Sequence, residues 1–307
     1  MERITELMTS QSTISNLNQQ LNQLSATENE LSTGLSINEP SDNPYGASLA
    51  IQLNGQLSAL TSYTGNVSDG TAWTSQADSS LMDINEQVQS VQELVVQAAN
   101  GTSTPAQLDA DATEVNQLIA GIKQDASAQY DGQYIFSGTD TTTAPYQAGS
   151  NDAYQGNSGA IQRSIGPGAA PVQVNTDISQ LLGNGQTVSG QPAGDGLLLN
   201  TLRNIAGDMQ AGSTASLGND LTDLQTNMGT LGQMQANVGA VQDQLQMASS
   251  RIQNLQTEVQ TQLSSTEDVN MAQTMTQYST EQASYNAALQ ASASVLQTDS
   301  LANFLSS

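Results

Sequence analysis

The chain has 307 residues, of which 29 are acidic and five basic, and this net charge of −24 disfavours nucleic acid and anionic membrane as partners. Cysteine and histidine are absent, which excludes disulfides, thiol redox chemistry, histidine-ligated zinc and catalysis by Ser-His-Asp or Cys-His groups. A carboxylate-only enzyme such as a glycosidase stays compatible with the composition.

The first 39 residues contain no proline and carry apolar side chains at heptad spacing. Two registers, three residues apart, hold these side chains: Leu7, Ile14, Leu21 and Leu35, and Leu17, Leu24 and Leu31. This spacing over about four heptads predicts a coiled-coil seam. The other positions are mostly Gln, Asn, Ser and Thr, so packing rather than charge pairing must select the partner.

A break in this helix is predicted at residues 38–44, where Pro40 and Pro44 enclose polar turn formers. Each proline removes an amide donor and disfavours helical backbone at the residue before it. Ser41 or Asp42 is expected to cap the next helix, with Pro44 in its first turn.

Two further helical zones are predicted from apolar stripes, over 46–99 and about 106–130, with Gly101 and Pro105 between them. The character of the sequence then changes, because residues 138–196 hold 11 of the 25 glycines and four of the seven prolines. The runs QYIFSG and APVQVN predict short strands in or next to this segment. Helix is expected to return at about residue 197.

The last part of the chain, residues 240–307, contains neither Gly nor Pro and continues a helical stripe. It predicts one uninterrupted helix, on the order of 100 Å long. Four apolar side chains near its end are expected to belong to the seam: Leu289, Leu296, Leu301 and Phe304.

The sequence begins MERITELMTS, without a basic segment followed by an apolar one, so no secretory signal is expected. No apolar run of 18 residues occurs, so no membrane span is expected.

These elements predict a mainly α fold, in which both chain ends form a long antiparallel helical bundle or coiled coil and a small β-rich domain is inserted. We expect terminal coiled-coil segments at 1–40 and 266–307, a helical rod domain at 41–137 and 197–265, and the inserted domain at 138–196.

Several blocks of this sequence, in order along the chain, resemble the flagellin superfamily. LSTGLSINEPSDNPYGASLA (31–50) is similar to the motif that ends its first helix, and VQELVVQAANGT (91–102) to its second block. ASYNAALQASASVLQTDSLANFL (283–305) is similar to its C-terminal end, and YQGNSGAIQRSI and PVQVN match weakly within the insert. One further motif is typical of the hook-associated protein 3 family, the hook–filament junction proteins: Gly132, Tyr134, Ile135, Phe136, Ser137 and Gly138.

The resemblance implies a structural adaptor of the bacterial flagellum, not an enzyme, with no cofactor or metal. Such a protein joins the hook, through the preceding junction protein, to the flagellin filament, and assembles with itself in a ring. The resemblance further implies an export chaperone, the flagellar export apparatus, and an extracellular location reached without a cleaved signal peptide. The terminal segments would then be inner-tube helices whose seams pack between subunits.

Other interpretations stay open at this point. The chain could be a flagellin filament subunit or, from a different class, a secreted acidic adhesin or glycosidase. Two cations usual in the family are missing: no basic residue lies between Gly34 and Ile37, and Gln92 replaces an arginine.

Pairs of neighbouring carboxylates, Asp109 with Asp111 and Glu267 with Asp268, are interpreted as solvated faces rather than cation sites, because neither has the ligand density of a calcium loop. Tyr134, Ile135 and Phe136 are interpreted as core residues rather than as part of a ligand site.

Overall fold

The structure, a computed structural model, describes residues 2–183 and 197–305. The chain divides into two compact units. The terminal unit comprises Met1–Ala59 and Leu255–Ser307, and the central unit comprises Leu60–Asn254.

Long helices make up most of the described chain, which confirms the predicted mainly α fold. In chain order the helices are α1 Glu2–Thr33, α2 Pro44–Ala99, α3 Pro105–Ala126, α4 Ser179–Leu182, α5 Leu198–Ala211, α6 Thr214–Glu267 and α7 Met271–Leu305. The strands are β1 Gln129–Tyr130, β2 Gln133–Tyr134, β3 Gln162–Arg163 and β4 Val172–Gln173. Among the described residues, no helix is long and apolar enough to cross a membrane.

In the terminal unit, α1 and α7 pack against each other in opposite directions, as predicted for the two chain ends. Leu35, just past the end of α1, forms an antiparallel bridge with Asp268, just before α7. Thr27 lies eight residues before Leu35, and Glu281 lies 13 residues after Asp268. The hydroxyl of Thr27 donates to the carboxylate of Glu281 at 2.7 Å. The two contacts fix both the direction and the register of the helix pair.

The prediction of one uninterrupted helix over 240–307 is wrong, because α6 ends at Glu267 and α7 begins at Met271. The side chain of Asn270 caps α7, since its Oδ1 accepts the N–H of Gln273 at 3.3 Å. Its carbonyl accepts the N–H of Thr274 at 2.9 Å. An asparagine cap therefore starts a new helix without the glycine or proline that usually marks such a boundary.

The cap of α2 also differs from the prediction. The helix begins at Pro44, and Asn43, rather than Ser41 or Asp42, precedes it as the cap. Asn43 Oδ1 accepts the N–H of Gly46 at 2.9 Å. Pro44 does occupy the first turn, where a missing amide proton costs no helical hydrogen bond.

The core of the central unit is built from apolar residues at seven-residue intervals. On α2 the buried residues of one such series are Leu60, Val67, Leu81, Val88 and Val95. On α6 they are Leu217, Leu224, Leu231, Val238, Leu245 and Ile252. Helices α3 and α5 pack against each other, and α3 contributes Val115, Ile119 and Ile122 to the core. Heptad spacing of this kind keeps one face of a long helix against its partner along its whole length.

Two small antiparallel hairpins complete the central unit. Asp131 and Gly132 join β1 to β2 with positive φ angles of 50° and 74°, the conformation that favours Asp-Gly in two-residue hairpin turns. In the second hairpin, Gln162 pairs with Gln173 and Arg163 with Val172. Within the predicted strand runs QYIFSG and APVQVN, only residues 133–134 and 172–173 are strands.

Candidate assembly surface

The two breaks between long helices in the terminal unit pair with each other through their backbones. The N–H of Ser36 donates to the carbonyl of Glu267 at 2.6 Å, and the N–H of Val269 donates to the carbonyl of Gly34 at 3.0 Å. The Ser36 hydroxyl donates to the same Glu267 carbonyl at 3.0 Å. Each break thus satisfies backbone groups that the other leaves without helical partners.

Gly34 ends α1 with a φ of +75°, a conformation that glycine adopts without steric cost. Its N–H still donates to the carbonyl of Glu30 at 2.9 Å, which closes the last turn. The two residues before Ile37, where the resemblance places a basic side chain, are Leu35 and Ser36, and both are half-buried. The missing cation therefore leaves no gap in the backbone pairing.

The predicted inter-helix turn lies next to this pairing, and all four of its named residues are exposed: Pro40, Ser41, Asp42 and Pro44. The Asp42 carboxylate accepts the N–H groups of Asn38 and Glu39 at 3.0 and 2.8 Å. The Ser41 hydroxyl donates to the Glu39 carboxylate at 3.2 Å. Asp42 therefore stabilises the turn before α2 instead of capping the helix.

The residues of the predicted seam divide into half-buried and exposed sets. Leu17, Leu24 and Leu31 on α1 are half-buried. Ile14 and Leu21 on α1 and Leu289 on α7 are 57%, 45% and 42% exposed. The side chains of Leu7, Leu296, Leu301 and Phe304 lie outside the described residues. The seam itself stays a prediction.

Further large apolar side chains are exposed on the same unit. They are Met8, Tyr45, Ile51, Met271 and Met275. Burying one such side chain completely in a protein contact stabilises that contact by on the order of 1.5–3 kcal/mol. Several exposed apolar residues within one helical unit are typical of a surface that another protein covers.

Most of the hook-associated motif lies in the core of the central unit, whereas Gly132 lies in the exposed β1–β2 turn. Ile135, Phe136, Ser137 and Gly138 are buried, and Tyr134 is half-buried. The Phe136 carbonyl accepts the hydroxyl of Tyr154 at 2.7 Å. These contacts agree with the interpretation of Ile135 and Phe136 as core residues.

Gly138 satisfies two separate demands in this motif. Its φ is +68°, and a Cβ at this position would lie 1.9 Å from the carbonyl oxygen of Asn157. The Ser137 hydroxyl beside it donates to the Thr143 carbonyl at 2.6 Å. Only glycine fits here, and the motif thereby connects the end of the β1–β2 hairpin to the loops that follow.

A buried ion cluster, which sequence patterns did not predict, also ties the insert to the helices. Lys123 on α3, the only lysine, is 3% exposed, and its Nζ lies 2.9 Å from Asp152 Oδ1. Arg203 on α5 contacts the same carboxylate through Nε at 3.0 Å. Burial raises the pKa of Asp152, but the hydrogen bonds from Arg203 and Lys123 outweigh burial and hold this pKa below its usual value. The one sequence feature that could have indicated this cluster is the position of the single lysine, Lys123, on an apolar helix face.

Neither predicted carboxylate pair belongs to a metal-binding cluster in the part of the chain that the structure describes. Among the described residues, no three acidic side chains lie close enough together to hold a metal ion. Asp109 is exposed and Asp111 half-buried on α3, and Glu267 contributes its carbonyl to the paired breaks.

Comparison with protein families identifies the class. Residues 4–141 match the bacterial flagellin N-terminal helical region, and residues 221–305 match the bacterial flagellin C-terminal helical region. The two regions together account for more than two thirds of the chain. The chain belongs to the bacterial flagellin family, and the resemblance found in the sequence is confirmed.

Solved structures of bacterial flagellar proteins share the fold. A putative flagellar hook-associated protein from Vibrio parahaemolyticus is 19% identical, with 74% of this chain and 100% of that chain covered and a TM-score of 0.64. Flagellar hook associated protein-3 from Legionella pneumophila is 12% identical, with 70% and 98% covered and a TM-score of 0.61. FlgL from Bacillus cereus is 18% identical, with 69% and 99% covered and a TM-score of 0.58. No curated protein sequence matches the chain significantly.

Proposed function

We propose that this chain is a structural adaptor of the bacterial flagellum that joins the hook, through the preceding junction protein, to the flagellin filament. The observation that carries the proposal is the terminal unit. It is made of flagellin-family helices, and their packed pair leaves Ile14, Leu21 and Leu289 exposed to solvent. In a ring of copies these side chains would be covered by neighbouring subunits.

The proposed function also implies how the chain leaves the cell and where it acts. The chain would pass through the flagellar export apparatus with the help of a chaperone and act outside the cell, without catalysis and without inserting into a membrane. The absence of cysteine supports this, since folding after export then needs no disulfide formation. The terminal segments would order fully when they meet the hook-side junction protein and flagellin.

Introducing a charge into the exposed seam tests the proposal in the source bacterium, with its own gene replaced by the variant. Ile14→Asp and Leu21→Asp place a charge where a neighbouring subunit would bury it, while removing little burial within the monomer. We expect cells with hooks but no filaments, and unpolymerised flagellin in the medium. Leu24→Asp and removal of residues 297–307 should give the same phenotype.

Gln19→Asp is the matched control, because Gln19 is an exposed polar residue on the same helix. It should leave filaments normal, and circular dichroism should show native helix content for every point variant. Normal filaments in the Ile14→Asp and Leu21→Asp strains would contradict the proposal.

A second candidate function is the flagellin filament subunit itself, which the matched flagellin regions also favour. The same strains separate the two functions. If the chain is an adaptor, disrupting it releases into the medium a flagellin that is a different protein from the variant chain. If the chain is the filament subunit, only the variant chain itself is released.

A further inference from the structure

An apolar groove lies on the central unit between the β3–β4 hairpin and α6. Ile165, Pro171 and Val172 line its hairpin side, and Val241, Met247 and Ala248 line its helix side. Met247 is 65% exposed, although it is a large apolar residue in a groove. The groove is thus a concave apolar surface that none of the described residues of the central unit covers.

Arg251 also lines this groove, one helical turn after Met247. Among the basic side chains that the structure describes, Lys123, Arg163 and Arg203 each contact an aspartate within 3.0 Å. Arg251 is exposed and has no acidic partner in the part of the chain that the structure describes. On a chain with a net charge of −24, an unpaired cation next to an apolar groove is a point where an acidic surface can approach.

An exposed stripe on α2 has the complementary chemistry. Met82 and Val96 are 53% and 45% exposed, and Glu86 and Glu93 between them are exposed carboxylates. Their spacing of four, seven and three residues places all four on one face of the helix. This α2 stripe therefore combines apolar side chains with negative charge.

We propose that the groove receives the α2 stripe of a second copy of this chain, with Met82 in the groove and Glu86 paired with Arg251. This inference deepens the proposed function and rests on it, because the ring supplies the second copy. The contact joins two different surfaces, so it is head-to-tail and leads to a ring or an open helix rather than to a closed dimer. Arg251 offsets part of the repulsion between two strongly acidic chains.

Cysteine cross-linking of the full chain tests the contact directly, because the natural sequence has no cysteine. A tagged Met247→Cys chain is mixed with an untagged Met82→Cys chain over a concentration series and oxidised. The proposal predicts mixed disulfide-linked dimers, since a disulfide requires two Cα atoms within about 7 Å. Ala106→Cys, an exposed position at the start of α3, replaces Met82→Cys as the control.

Charge reversal then tests the ion pair. Adding Arg251→Glu to the Met247→Cys chain should lower the yield of mixed dimer about tenfold, and adding Glu86→Arg to the Met82→Cys chain should restore it. Arg251→Lys should preserve the yield. Circular dichroism of each variant shows whether the fold is kept.

Two results would overturn the inference: a mixed-dimer yield no higher than that of the Ala106→Cys control, or an Arg251→Glu chain that cross-links as well as its parent. These results leave the adaptor function intact, since that function is tested by the filaments of the seam variants. Conversely, strong cross-linking together with normal filaments in the seam variants would contradict the adaptor function alone.

Discussion

Ser36 and Glu267 lie 231 residues apart in the chain, yet the N–H of Ser36 donates to the carbonyl of Glu267 at 2.6 Å. The contact links the break after α1 to the break before α7. Because each break uses the backbone groups of the other, neither is an independent loop, and the two helix boundaries depend on each other.

Replacing Ser36 by proline tests this dependence. Ser36→Pro removes the amide that bonds Glu267 and should cost about 1–3 kcal/mol in the local stability of the terminal unit. Proteinase K should then cut faster near residues 268–270. Ser36→Ala, which loses only the hydroxyl contact, is the control and should be cut much more slowly. Equal cleavage of Ser36→Pro and the natural chain would show that the pairing does not hold the α6–α7 break.

Gly138 should tolerate no side chain. Gly138→Ala combines a positive φ with a contact of 1.9 Å to the Asn157 carbonyl, so backbone must move and stability should fall by more than about 2 kcal/mol. Gly168→Ala is the matched control, because Gly168 has a φ of +69° and a Cβ at its position would meet no atom within 4 Å. Urea unfolding of the two variants should differ clearly, and equal losses would mean that the φ angle alone explains the effect.

Asp152 should be essential to the ion cluster. Asp152→Asn leaves Lys123 buried without a carboxylate, which should cost about 3–5 kcal/mol. Adding Lys123→Met removes the buried charge and should recover part of the loss. Urea denaturation at pH 7 measures both effects. A double variant less stable than Asp152→Asn would show that the unpaired charge of Lys123 is not the cause of the loss.

The pH dependence of this carboxylate follows from its lowered pKa. The stability that Asp152 contributes is fully present above its usual pKa of 3.8 and is lost as pH falls through the lower pKa of the folded protein. The difference in stability between the natural chain and Asp152→Asn should therefore persist down to about pH 4 and shrink only below it.

Asp220 on α6 should behave in the opposite way. Burial, followed by the charge of Asp208, a hydrogen bond with Asp208 and the charge of Asp223, raises the pKa of Asp220 to about 6. The folded protein thus keeps a proton that the unfolded chain has already lost, and stability falls as pH rises from about 4 through about 6.

Asp220→Asn should therefore raise the melting temperature at pH 8 and leave it nearly unchanged at pH 4. Asp223→Asn, at an exposed position on the same helix, should have a smaller effect at pH 8. Thermal melts followed by circular dichroism at the two pH values measure both variants. A destabilised Asp220→Asn chain at pH 8 would contradict the raised pKa.

The break between α1 and α2 could be predicted from the sequence, because Pro40 and Pro44 disrupt a continuous helix whatever surrounds them. The break at Asp268–Asn270 could not, because it depends on hydrogen bonds to residues more than 200 positions earlier and on a side-chain cap. Asn43 caps α2 in place of Ser41 or Asp42 for a related reason: three polar residues in succession could each serve, and local geometry selects one.

The chemistry of the surface was predictable only in part. The heptad spacing of α1 indicated a seam, but the exposure of Ile14 and Leu21 beside half-buried Leu17 and Leu24 depends on how α7 packs. The cluster of Lys123, Asp152 and Arg203 joins residues from two helices and a loop, and no spacing in the sequence relates them.

The most direct test of the adaptor function is the position of the chain on the flagellum. Antibodies raised against the full chain would be applied to intact flagella of the source bacterium and located by immunogold electron microscopy. An adaptor should give one narrow band of label between the hook and the filament. Label along the whole filament would identify a filament subunit instead, and no label on the flagellum would contradict the adaptor function.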